Sequence, residues 1–254
     1  MQTIDLNSDL GEGFGPWTMG DDAAMLAVVS SANVACGGHA GDTETMYNTC
    51  RTAAENGVVI GAHPSYVDRE GFGRRVIPMA PDEIGRMVVA QVGALAAVAR
   101  LAGTEVRYIK PHGALGNVAA ADAEVATGII DAVRAAFPTL AILAISGTQL
   151  EVVARAAGVE VYSEIFADRA YQPNGLLVPR SRPGAVIHDA GQAAQRLIAF
   201  VESGRMAVIG GEPIELAADS VCVHGDTPGA VEMAHHIRAE LIDAGLAPRP
   251  FLPR

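Results

Sequence analysis

The chain has 254 residues, half of them hydrophobic, and a mean hydropathy of +0.24, enough to bury a sizeable core in one α/β domain spanning residues 1–254. A formal charge of −11, a pI near 5.0 and no lysine- or arginine-rich run argue against nucleic acid and anionic membrane as partners. Three cysteines, Cys36, Cys50 and Cys222, do not make a disulfide framework, and "MQTIDLNSDL" has no basic-then-apolar pattern, so a cytoplasmic location is expected.

In chain order, short β-branched runs alternate with longer alanine-rich ones. Strands are predicted at 3–6, 32–35, 58–62, 106–109, 140–145, 159–163 and 220–224. Helices are predicted near 21–31, 43–56, 81–102, 122–136, 148–157, 189–203 and 228–244. Asp42 or Thr43 can cap the second helix, Pro81 suits a first helical position, and Gly57, Gly103, Gly158, Gly204 and Gly245 follow helices. "MVVAQVGALAAVARLAG" is broken by Gln91 and Arg100 and reads as a buried helix rather than a membrane span. Seven β–α repeats predict a parallel sheet closed into a barrel, with an open doubly wound sheet as the alternative. Residues 205–219, with "GG" between two short apolar runs, predict a small hairpin.

Active sites of parallel barrels form at the C-terminal ends of the strands. The segments expected there are "NSDLGEGFG", "CGGHAGD", "HPSYVDREGFGRR", "KPHGALGN", "SGTQ", "EIFADRAYQPNGLLVPR" and "HGDTPGA". His39, His63, His112 and His224 all fall in them, whereas His188, His235 and His236 do not. Lys110 falls there too. It is the chain's only lysine, against seventeen arginines, and lysine is a compact charge where arginine is a planar fork.

Each piece also has a plainer reading. "LGEGFG" can cradle an anion or form a tight turn that presents Asp9 and Glu12; no phosphate-loop pattern occurs. Cys36 is either a nucleophile beside His39 or a small packed residue. Asp226 either orients the His224 imidazole or caps the helix starting near Pro228. Of Arg74 and Arg75, one suits an anion clamp and the other a surface charge.

Together, "DLNSDLGEGFG", "NVACGGHAGD", "GAHPSYVDREGFGRR", "YIKPHGALGN", "EIFADRAYQPNGLLVPR" and "VCVHGD" resemble the signature blocks of the LamB/YcsF family, the family of the 5-oxoprolinase A component. They run from residue 5 to residue 226 in the family's order. Ser8 stands where members often carry cysteine, and Gly116 where "KPHGALYN" would have tyrosine, which implies a wider pocket or a looser loop. The resemblance implies an irregular seven-stranded β/α barrel similar to glycoside hydrolase and deacetylase barrels. It also implies ATP-dependent opening of 5-oxoproline (pyroglutamate) to L-glutamate, with partner subunits B and C and with ATP handled wholly or partly by those partners.

For that reaction the site needs an anion clamp, a base for water and an acid for the leaving nitrogen. Arg74 and Lys110 are expected at the substrate carboxylate or a phosphorylated oxygen. His112 is expected as general acid or base, and Asp9 and Glu12 compete as the base. His39, Asp42 and His63 are expected to orient ligand or bind a metal, with Asp168, Arg169, His224 and Asp226 completing the rim. Asp9, His39 and His63 are ligand types that a hydrolytic divalent metal would use, so a free-standing metal-dependent amidase or deacetylase on a sugar or lactam is one alternative. A lactam-binding subunit without chemistry is another.

Overall fold

A computed structural model describes residues 2–226 and 229–253. Eight strands form one sheet in the order β10-β1-β2-β3-β4-β5-β6-β9, and β9 also pairs with β1. The strands are β1 (Gln2–Leu10), β2 (Ser31–Ala35), β3 (Val59–His63), β4 (Val106–Ile109), β5 (Ala141–Ile145), β6 (Val161–Phe166), β9 (Ser220–Cys222) and β10 (Leu246–Pro248). All pairings in this sheet are parallel. The first half of β1 pairs with β10 through Gln2, Thr3 and Ile4. The next part pairs with β9, as Asp5 meets Ser220 and Asn7 meets Cys222, and this closes a seven-stranded barrel. Residues 205–219 do contain a hairpin, β7 (Arg205–Met206) antiparallel to β8 (Ile214–Glu215).

The outer ring comprises, among the described residues, α1 (Asp22–Leu26), α2 (Thr43–Asn56), α3 (Pro81–Leu101), α4 (Gly113–Ala121), α5 (Ala123–Ala136), α6 (Gln149–Ala156), α7 (Ala190–Ser203) and α8 (Ala230–Asp243). Asp42 caps α2 by accepting from Thr45 N at 2.8 Å. Helix α3 is apolar and long enough to cross a membrane by composition. Here it lies in the ring, burying Ile84, Val88, Val92 and Leu95, while Gln91 bonds the backbone of Ser65. The core fills the shell between barrel and ring, where Leu6, Val34, Ile60, Ile109, Ile142, Ile165 and Val221 of the strands join Val88, Leu95, Ile129 and Leu197 of the helices.

The observed elements differ from the sequence expectations in several places. Strand β1 runs to Leu10 and β6 to Phe166, so Asn7, Ser8, Asp9 and Glu164 are strand residues. "GALGN" begins α4 and is not a loop, with His112 as its N-cap residue. Strand β10 lies beyond the expected elements, and α1 ends at Leu26, five residues short of the expected stop. Helix α8 begins after Gly229, and the expected start at Pro228 lies outside the described residues.

The polar stretch in β1 reads as a loop because its even and odd positions face different worlds. Asp5, Asn7 and Asp9 lie two apart, so all three share one face, which is the lumen. Polar partners from other strands meet them there. Ser30 and Ser31 donate to Asp5 Oδ1 at 2.6 and 2.7 Å, and Ser220 donates to Oδ2. Asn7 Nδ2 donates to Glu164 at 3.0 Å and to Ser220 at 2.7 Å. Asn33 Nδ2 donates to Asn7 at 2.7 Å and to Asp9 at 2.8 Å, and Tyr108 OH donates to Asn33 Oδ1 at 2.7 Å. Gly61 makes room for that tyrosine: a Cβ there would lie 2.2 Å from the Tyr108 ring. At the other end of the lumen, Val59, Tyr108, Ala141, Leu143 and Leu252 form a separate apolar plug, with Phe251 edge-on to Tyr108.

Candidate active site

A cavity of about 610 Å³ opens at the C-terminal ends of the strands. Its floor is Asp9, His63, Lys110, Glu164 and His224, and its walls carry Arg74, His112, Asn117, Arg169, Gln172 and Arg180.

Lys110 follows β4 directly, and only 4% of its surface is exposed. Its ammonium lies 2.8 Å from Glu164 Oε1, 3.0 Å from Asp9 Oδ1 and 3.1 Å from Cys222 Sγ. The lysine therefore sits at the floor of the lumen, with its ammonium directed at two carboxylates of the protein. Burial works to lower its pKa, but Asp9 and Glu164 outweigh burial and hold it well above the usual value. Burial likewise raises Asp9, yet His63 and Lys110 hold that carboxyl well below the usual range. Glu164, buried against the same ammonium, is shifted upward by desolvation.

Three histidines pack beside this ion pair. His39 and His112 stack in parallel with centroids 3.7 Å apart, and His63 stands edge-on to both. His63 Nδ1 lies 2.7 Å from Lys110 O, and His112 Nε2 lies 2.9 Å from Phe72 O. Carbonyl oxygens only accept, so both of these nitrogens carry hydrogen. The nitrogens left over, His63 Nε2 and His112 Nδ1, face each other at 3.0 Å. Asp9 Oδ2 lies 3.3 Å from His63 Nε2, and Glu12 Oε1 lies 3.7 Å from His112 Nδ1. Burial drives His112 well below the usual histidine value, with His39 and His63 adding to the shift. Burial also takes His39 down to about 3 and, with Asp9 beside it, takes Glu12 up to about 8.

Across the floor from these rings stands His224, backed by Asp168. His224 Nδ1 lies 2.7 Å from Asp168 Oδ2, and its Nε2 is 4.0 Å from Asp9 Oδ2. Burial raises the Asp168 pKa, but His224 outweighs it and the net shift is downward. This is a base held by an orienting carboxylate, the arrangement that general-base catalysis uses.

The remaining expected residues have other partners. Asp9 and Glu12 were expected on an exposed turn; both are buried, Asp9 in β1 and Glu12 beside His39 at 3.1 Å. Asp42 is the α2 cap and also accepts from Gly15 N, and it does not line the cavity. His39 lines a smaller neighbouring cavity with Glu12, Trp17 and Phe72. Arg169 donates to Val178 O at 2.7 Å and Ala185 O at 3.2 Å, which pins the loop after β6. Arg74 faces the cavity and pairs with Asp226, whereas Arg75 pairs with Asp68 on the outer side. Cys36 donates to Val34 O, and burial raises its pKa, so it is packed and not a poised nucleophile. Gly116 does not loosen a loop: a Cβ there would sit 2.6 Å from Pro111 O in a close turn of α4.

Glu164 and Arg180 line the cavity from the two ends of "EIFADRAYQPNGLLVPR", a segment expected at the rim in which neither residue is among the candidate site residues. Glu164 had a visible signal, an ionisable residue inside the apolar run "VYSEIF". Arg180 carried only its membership of that segment, because its approach to the cavity depends on the long loop after β6.

The donor set fits a divalent metal: Asp9, Glu12, His63 and His112 each offer one atom, all within 4.8 Å of one another. Comparison with known proteins gives the context. Residues 4–253 match the LamB/YcsF family. The chain is 52% identical over 251 residues to the third 5-oxoprolinase A component of Pseudomonas syringae pv. tomato, covering 99% of this chain and 98% of that one. It is 53% identical over 249 residues to the 5-oxoprolinase A component of Nocardia farcinica, covering 98% and 99%. In both relatives' names that component is called a subunit. The crystal structure of a lactam utilization protein from Thermus thermophilus superposes with a TM-score of 0.91 at 40% identity, covering 98% and 99%. A family 4 carbohydrate esterase from Streptomyces lividans, with a TM-score of 0.50 at 11% identity over 97% and 91%, shares the fold alone. With a match that spans nearly its whole length, the chain belongs to the LamB/YcsF family.

Proposed function

We propose that the chain is the ring-opening component of an ATP-dependent 5-oxoprolinase, which converts 5-oxoproline to L-glutamate. The observation that carries this reading is the cavity itself. Its floor holds ionised and imidazole groups in a buried cluster, and its walls present Arg74 and Arg180 to an anionic small molecule. The names of relatives at about half identity support it, and the word "subunit" in those names supports an assembly with further chains. We assign nucleotide handling to two such partners, B and C, because no phosphate-loop pattern occurs in this chain.

A lactam is a resonance-stabilised amide, so water attacks it readily only once its oxygen is activated. ATP supplies that by phosphorylating the lactam oxygen. Water then adds to the same carbon and loses a proton to His224 Nε2, with Asp168 holding the ring. The C–N bond breaks as the nitrogen takes that proton from the His224 imidazolium, which leaves an acyl phosphate and a free base for the next water. A second water hydrolyses that to carboxylate and phosphate, giving glutamate. Arg74 and Arg180 hold the substrate carboxylate and the phosphoryl oxygens; preorganised groups at developing negative charge are typically worth about 10²–10³ in rate. Lys110 acts one step back, by fixing Asp9 and Glu164. A metal bound at Asp9, His63 and His112 would supply Lewis-acid polarisation at the floor.

The test is a coupled assay of glutamate and ADP with the chain alone and with partner chains added. Turnover is expected only in the assembled mixture. Robust ATP-dependent turnover by the single chain would overturn the division of labour. ATP-independent amide cleavage by the single chain would instead favour the metal-dependent amidase, and unchanged turnover on changing His224 would favour a binding subunit.

A further inference from the structure

The facing ring nitrogens of His63 and His112 need a cation between them. Each ring has spent its N–H on a backbone carbonyl, at 2.7 Å to Lys110 O and 2.9 Å to Phe72 O. With both rings neutral, two lone pairs point at each other at 3.0 Å among buried side chains, with a carboxylate oxygen 3.3 Å from His63 Nε2. Without a cation this arrangement is repulsive, and burying unpaired acceptors costs further free energy.

We propose that Asp9 Oδ2, His63 Nε2 and His112 Nδ1 form the core of a site for a zinc-type divalent transition ion, with Glu12 Oε1, 3.7 Å from His112 Nδ1, as the fourth donor within reach. Four ligands at about 2.0–2.1 Å from zinc stand about 3.3–3.4 Å apart in a tetrahedron. The two separations here, 3.0 and 3.3 Å, lie within about 0.4 Å of that, so an ion would need only a small spreading of the two imidazole nitrogens. Two imidazoles and a carboxylate suit zinc and its transition-metal neighbours over magnesium or calcium, which take oxygen ligands.

The surroundings are built as metal sites are built. Ligating histidines give their second N–H to carbonyl or carboxylate oxygens, which fixes tautomer and ring angle; both rings do so here. Asp9 Oδ1 is held by Asn33 Nδ2 at 2.8 Å and Lys110 Nζ at 3.0 Å, which leaves Oδ2 to the ion. Stacking against His39 fixes the His112 ring plane. His39 itself is not a ligand: its Nε2 is engaged by Glu12 and its Nδ1 by Ser65. This replaces the Asp9–His39–His63 set expected from sequence.

The inference concerns the same site as the proposed reaction, but its readout is binding, so the two can fail separately. The chain is stripped with chelator and titrated with zinc by calorimetry, with metal content checked by mass spectrometry. Cobalt is substituted to read the ligand field by absorption. One equivalent is expected to bind and to raise the melting temperature. His112→Gln and His63→Gln should each weaken binding by at least about 100-fold, the upper range for losing merely an outer-shell partner. His39→Gln should bind zinc within about threefold of the parent chain. Circular dichroism shows whether each variant is folded, and two independent ligand variants guard against one that is not. Zinc binding by both ligand variants as tight as the parent's would overturn the proposal. So would a parent chain that takes up no zinc and instead shows by NMR a proton shared between His63 and His112.

Discussion

The two walls of the lumen mouth both carry histidine, and they differ in what holds the second ring nitrogen. On the β3–β4 side, His63 and His112 lean on backbone carbonyls, which accept a hydrogen but carry no charge. On the β9 side, His224 leans on the Asp168 carboxylate. A carbonyl fixes the tautomer and leaves a neutral lone pair suited to a ligand. A carboxylate also stabilises the imidazolium, which suits a group that takes up a proton. One residue type thus stands in two different electrostatic settings a few ångströms apart, which suit the two roles proposed above. Asp9 stands between them, 3.3 Å from His63 and 4.0 Å from His224.

The sharpest way to break that comparison is to remove the charge the two sides share. Asp9→Asn is expected to cut turnover of the assembled enzyme by about 10²–10⁴-fold, the range for losing a positioned acid–base or ligand group. Steady-state glutamate release measures it, and near-parental rates would make Asp9 structural.

Lys110 comes next, because it fixes the other oxygen of Asp9. Lys110→Ala leaves Asp9 and Glu164 buried without their cation, and stability should fall by about 3–5 kcal/mol in urea titration. Burial against two carboxylates, and not placement on the surface, is what makes the loss large. Lys110→Arg should also destabilise, since a guanidinium is too broad for a space bounded at 2.8–3.1 Å by Glu164, Asp9 and Cys222. A double variant, Lys110→Met with Glu164→Gln, should recover part of the loss. If all three melt like the parent chain, the ion pair contributes nothing.

Asp168→Asn separates the two walls directly. Turnover should fall by about 10²-fold, within the range for a disabled base, while zinc affinity stays at the parent level because the ligand side is untouched. Loss of zinc binding in this variant would merge the two sides into one unit.

The smallest effect lies deeper in the lumen, at Asp5. Burial raises its pKa from 3.8 to about 6 against three serine donors. Between about pH 4 and pH 6 the folded state keeps a proton that the unfolded chain has released, so its contribution to stability falls as pH rises, then levels off above about 6. Asp5→Asn should remove that slope and gain roughly 1–3 kcal/mol at pH 8 relative to pH 4. Parallel pH dependence in the parent chain and the variant would show that Asp5 titrates normally.

The order of elements was legible in the sequence, because β-branched runs, alanine-rich runs and glycine stops are local signals. Strand β4 (Val106–Ile109) and helix α2 (Thr43–Asn56) match their expected spans. The gathering of His63, His112, His224, Lys110 and Asp9 at one end followed from parallel strands, whose C-terminal ends share a side. Local pattern could not show that β1 continues through Asn7, Ser8 and Asp9, since polar residues in a strand look like a loop until a closed lumen supplies their partners. Nor could it pair Lys110 with Glu164, which lies on β6, or choose His112 over His39 beside Asp9. Those choices rest on which backbone carbonyl lies within 3 Å of which ring nitrogen. Only the closed barrel, which brings Phe72 O to one imidazole and Lys110 O to another, decides that.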